Sequence, residues 1–100
     1  MTPVAEKLRD LILPVKRIYF EQIRDDLKPE EFRLCTPYWQ KRLEGREYDR
    51  VIVTLGYPAK DDAERRLVRP WQGFIKKQIT HPHFGSAPVN VFAINVRKSK

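Results

Sequence analysis

Apolar and polar positions along this chain follow two different periods, and the change from one to the other marks its elements. Through Glu31-Phe32-Arg33-Leu34 a fixed charge alternates with an apolar residue, which predicts a strand over residues 32–35. Phe32 and Leu34 then face one side, while Glu31, Arg33 and Cys35 face the other. Leu11-Ile12-Leu13-Pro14-Val15 is a short apolar run with β character. Pro14 has no N–H to donate, which assigns that run to a sheet edge or a strand end. Over residues 17–26 the period lengthens, with Ile18, Tyr19, Gln22, Ile23 and Asp26 at helical spacings. Asp25 and Asp26 oppose the dipole at the end of that helix, and Pro29 disfavours helical backbone at Lys28.

A second helix is expected over residues 37–44. Thr36 is a good cap, and Pro37 suits the first helical position, where its missing N–H costs nothing. Gly45 stops it. Helical spacing sets Tyr38 near Lys41 and Trp39 near Leu43. Arg50–Leu55 reads as a strand closed by the turn residues Gly56-Tyr57-Pro58. Residues 60–64 are polar, a surface loop or one helical turn, and 65–68 extend towards a strand before Pro70. Residues 72–80 are β-like, but Ile75 and Ile79 share a face with Lys77, which points to a bulge near Lys76-Lys77. His81-Pro82-His83-Phe84-Gly85 reads as a turn, and residues 89–96 are apolar on both faces, the mark of a central strand. The sum is a small α+β domain of five to six mostly antiparallel strands on a curled or closed sheet. Its two short helices are inserted in the N-terminal half.

One hundred residues make a single domain, and the 41% of hydrophobic residues builds a modest core without disulfide or metal staples. The one cysteine, Cys35, allows no intramolecular disulfide; it reads as a small strand hydrophobe and fits a reducing cytoplasm. No apolar run approaches the roughly 18 residues of a membrane span, and Met1-Thr2-Pro3-Val4-Ala5-Glu6 lacks the pattern of a secretion signal. A cytoplasmic protein without a membrane partner is therefore expected. The net charge of +7 is unevenly placed: residues 1–33 hold seven basic against seven acidic side chains, residues 34–60 five against three, and residues 61–100 eight against three. A basic surface that also carries aromatic rings is the usual footprint of a nucleic-acid partner.

Ile23-Arg24-Asp25-Asp26-Leu27-Lys28-Pro29-Glu30-Glu31-Phe32-Arg33 resembles the start of an ASCH domain, a branch of the PUA-like superfamily. There a short helix leads into a Gly-x-Lys-Thr-x-Glu-x-Arg-like turn and strand. Thr36-Pro37-Tyr38-Trp39-Gln40-Lys41-Arg42-Leu43 and Tyr48-Asp49-Arg50-Val51-Ile52 are similar to the continuation in small bacterial and phage members, and the likeness runs from about Leu11 to Val96. The resemblance implies a PUA-like β-barrel that binds RNA or a nucleotide-like ligand. Leu27 and Pro29 flank the lysine where the family carries glycine and threonine. In the branch that hydrolyses the N4-acetyl group of acetylcytidine, the lysine works with a threonine three residues later, and this chain has Glu31 there.

The candidate chemistry centres on Lys28, Glu31 and Arg33. Lys28 and Arg33 can hold a phosphate or a base carbonyl, and Glu31 can accept hydrogen bonds from an exocyclic amine. Tyr38 or Trp39 can stack on a base, the Pro37 helix start lies beside the charged strand, and Tyr57 is a rim candidate at a strand end. Lys41, Lys76 and Lys77 belong to the basic surface that would meet a phosphate backbone. If the domain is a hydrolase of RNA or a modified nucleoside, Lys28 and Glu31 are its catalytic pair. The plainer alternative is an internal salt bridge from Glu31 to Lys28 or Arg33, and a protein-interaction module is a third function class. His81 and His83 lack a convincing third ligand, so no metal or other cofactor is expected.

Overall fold

The structure is a computed structural model that describes residues 9–98. It contains two three-stranded sheets. In the first, β1 (Asp10–Val15) lies parallel to β3 (Arg50–Leu55), and β3 pairs antiparallel with β4 (Arg66–Pro70). In the second, β6 (Val89–Asn95) runs antiparallel between β2 (Glu30–Leu34) and β5 (Phe74–Ile79). Helix α1 (Arg17–Arg24) follows β1 and helix α2 (Pro37–Leu43) follows β2, both in the N-terminal half. Single 3-10 turns occupy Ala63–Arg65 and Pro82–Phe84.

Alternation decides which face of each sheet is covered. Leu11, Leu13 and Val15 of β1 and Val51 and Val53 of β3 turn to one side. They pack with Phe20 and Ile23 from α1, Leu43 from α2, and Phe92, Ile94 and Val96 from the β6 segment. Val91 to Ile94 are all buried, so β6 is covered on both faces, as a central strand with an unbroken apolar run must be.

Local chemistry sets the helix ends. Asp26 adopts φ 62°, its N–H donates to the Ile23 carbonyl at 3.1 Å, and the Leu27 N–H donates to Gln22 at 2.8 Å. This pair of bonds is a Schellman closure with an aspartate at the left-handed position usually held by glycine. Thr36 caps α2 by accepting from the Trp39 N–H at 3.4 Å, with Pro37 in the first turn.

The closed barrel expected from the sequence is not formed: among the described residues no strand ladder joins the two sheets. The reason at one seam is Pro14. Val15 turns its carbonyl to Gly56 on the β3 side, so Pro14, one residue out of phase, faces the outer edge of β1. It has no N–H to offer a further strand, and its carbonyl accepts instead from Arg33 Nη2 of β2 at 2.7 Å. A second seam, where β4 meets α1 and the chain just past β6, has a comparable stitch. Arg69 of β4 is buried and donates to the carbonyls of Val96 and Ile23, each at 3.2 Å. Burial pushes the Arg69 pKa below its ordinary value, and nearby Asp26 opposes that shift.

The bulge expected near Lys76-Lys77 is absent as well. Each residue from Phe74 to Ile79 has one partner on β6. Lys77 shares a face with Ile75 and Ile79 without penalty because that face points away from the core, with Ile75 itself exposed.

Candidate functional site

Antiparallel partners share a face, and Glu31 and Arg33 lie opposite Ile94 and Phe92, two members of the core. The charged face of β2 therefore points between the sheets, while Phe32 and Leu34 point away from the core. What keeps the inward charges tolerable is pairing. Glu31 is 6% exposed, with Oε1 3.3 Å from Lys28 Nζ and Oε2 3.2 Å from Arg33 Nη2. Each carboxylate oxygen thus already faces a cation, and Lys28 also donates to the Glu30 carbonyl. Arg33 Nε is buried without a partner.

The same three residues line a cleft of about 890 Å³ that wraps around the outer edge of β2. A salt bridge and a cleft wall, alternatives at the level of sequence, turn out to be one arrangement. The β1–α1 junction contributes Val15, Lys16 and Arg17, and the turn after β3 contributes Gly56 and Tyr57. Rings form much of the remaining wall. Lys28 Nζ lies 4.5 Å from the Phe32 ring centroid and 5.5 Å from that of Tyr19. His81 lies 6.1 Å from Tyr19 and 6.2 Å from Phe32, and His83 and Phe84 complete the group with their rings 5.0 Å apart. Arg33 stacks towards Trp39 at 5.2 Å. The His81 ring accepts through Nδ1 from the His83 N–H at 3.1 Å, which leaves the proton of a neutral His81 on Nε2.

Tyr38 and Tyr57 stand on the rim, 57% and 92% exposed. The cation over Tyr38 is Arg42 at 4.3 Å rather than the expected Lys41. Lys41, Lys76 and Lys77 are not among the residues lining this cleft. Lys76 pairs with Glu44, a hydrogen bond that holds its pKa above the ordinary lysine value, and Lys77 pairs with Glu30 at 2.6 Å. Other C-terminal cations are likewise engaged within the protein, by an acid or by backbone carbonyls. Arg69 is buried, Arg65 meets Asp62, and Arg66 donates to the Pro58 and Ala59 carbonyls.

Sequence reasoning about the site missed Tyr19, Phe32 and Phe84. Tyr19 and Phe32 read only as helix and strand positions, and the 3-10 turn at Pro82–Phe84 sets Phe84 against the histidines that reach those two rings. The His-Pro-His-Phe run was the available signal. His81 and His83 gain no third ligand: among the described residues no three His, Cys, Asp or Glu side chains gather as a metal site. No helix among the described residues is long and apolar enough to cross a membrane.

No protein-family model matches the chain, and no curated protein or solved structure matches it either.

Proposed function

We propose that this protein is an ASCH-type, PUA-like domain that binds RNA or a nucleotide-like ligand in the cleft at the outer edge of β2. The observation that carries the reading is the convergence of Lys28, Glu31 and Arg33 with a wall of aromatic rings on one concave surface. Lys16, Arg17, Lys28 and Arg33 set four cations against the single carboxylate of Glu31 there, which favours an anionic ligand. Planar bases suit the rings, and phosphates suit the cations.

One detail supports the family reading: the Lys-x-x-Glu-x-Arg spacing is carried by one turn and strand whose three charged side chains meet. In a PUA-like reading the two sheets are the halves of an opened barrel, tied by Arg33 and Arg69. The pairing of Glu31 with both Lys28 and Arg33 suits a residue that balances and positions two ligand-binding cations.

The test is a titration of labelled single-stranded RNA at two salt concentrations. Affinity should fall steeply with salt and drop again in Lys28→Ala, a change that leaves the Arg33–Pro14 stitch in place. Binding that ignores both overturns the proposal.

One observation favours a second reading, a protein-interaction module. Ile12, Ile52 and Val68 stand side by side across the first sheet, with Ile12 46% and Val68 55% exposed. Its signature is indifference to RNA together with self-association or partner binding lost in Val68→Lys.

A further inference from the structure

We infer that the cleft continues past Arg33 into a second nucleotide subsite, so that the ligand is a single-stranded RNA segment of at least two nucleotides rather than a free mononucleotide. This rests on the reading of the cleft given above. A second cavity, of about 480 Å³, lies along the outer edge of β1, where Asp10, Leu11, Ile12, Arg42 and Tyr48 line it. Pro14, Arg33, Tyr38, Trp39 and Tyr57 line both this cavity and the main cleft. The two hollows therefore adjoin at the Arg33–Pro14 hydrogen bond, beside the facing edge strands of the two sheets.

The shared residues have the chemistry of a strand-tracking site. Tyr57 is almost wholly in water, so its ring is available as a stacking surface at the junction. Arg42 covers the Tyr38 ring at 4.3 Å and adds a cation to the second hollow. Asp10, the one acid there, is already paired with Arg50 at 2.8 Å. A phosphate joining two bases would pass between Arg33 and Arg42, with a base on either side. A mononucleotide uses only half of this surface.

The experiment compares uridine 5′-monophosphate with 5′-phosphorylated oligouridylates of two and four nucleotides, by calorimetry at fixed salt. The dinucleotide should bind roughly tenfold or more tightly than the monophosphate, the increment of one additional stacked base. Tyr57→Ala and Arg42→Ala should narrow that gap, and an unchanged melting temperature establishes that the variants remain folded. Equal affinity at all lengths, or a gap that survives both substitutions, overturns the second subsite while leaving the cleft reading intact. No binding at any length overturns both.

Discussion

The guanidinium of Arg33 reaches the carbonyl of Pro14 across 2.7 Å, joining β2 of one sheet to β1 of the other at a position where no strand ladder forms. The same Nη2 lies 3.2 Å from Glu31, so the group that ties the sheets together also fixes the charged wall of the cleft. Stability and site geometry are therefore coupled through one side chain.

Replacing Arg33 with methionine removes the Pro14 hydrogen bond and leaves the buried Glu31 carboxylate with one cation. The expected loss is about 2–3 kcal/mol of unfolding free energy, the scale of an unsatisfied buried group plus a weakened ion pair. Urea titration measures it. Arg33→Lys keeps a charge beside Glu31 and should recover part of the loss. A change below about 0.5 kcal/mol in Arg33→Met, within the range of ordinary surface substitutions, would show that the seam does not depend on this residue.

Glu31→Gln separates two roles for the carboxylate. If Glu31 serves to hold Lys28 and Arg33 in place and offset their charge, neutralising it should lower stability by about 1–3 kcal/mol and leave RNA affinity equal or higher at low salt. If Glu31 reads an exocyclic amine or acts as a base, affinity or turnover falls instead. Paired urea and RNA titrations on the same variant distinguish the outcomes.

Much of this architecture was legible as pattern. The strand at Arg50–Leu55, both helices in the N-terminal half, the two-sided apolar strand and the edge position marked by Pro14 all follow from periodicity and backbone chemistry. What pattern could not supply was which face of β2 meets the core. Alternation separates Glu31 and Arg33 from Phe32 and Leu34 equally well either way round, and here the ion pairs let the charged side turn inward. The seams were illegible for a related reason. Arg69 is one of the eight basic residues of 61–100, and nothing local reveals that its partners are carbonyls 27 and 46 residues away. The aromatic wall depends on the same kind of distant contact, between Tyr19 of α1 and the turn at Pro82–Phe84.

Arg69→Met tests the second seam. Its hydrophobic stem is kept, but the Val96 and Ile23 carbonyls lose their donor, at about 1–3 kcal/mol for each one left buried and unpaired. Removing a buried charge returns some of that, since its desolvation is relieved. A net loss of about 2–4 kcal/mol is expected by urea denaturation, with RNA affinity unchanged, because Arg69 does not line either cavity. Loss of RNA binding in a folded Arg69→Met protein would instead indicate that the two seams are linked.

Asp26 closes α1 with left-handed backbone at φ 62°. Left-handed backbone is unfavourable for a residue with a Cβ, and a carboxylate at a helix C-terminus faces the negative end of the dipole. Glycine removes both penalties but gains freedom in the unfolded chain, and it gives up the attraction between Asp26 and buried Arg69. The balance favours Asp26→Gly by about 0.5–1 kcal/mol, read as a higher melting temperature. Asp26→Asn decides which term dominates, because asparagine tolerates the same backbone without the charge. If asparagine matches glycine, the gain is electrostatic; if it matches aspartate, the gain is conformational. A glycine variant less stable than the parent would mean that the Asp26–Arg69 attraction outweighs both.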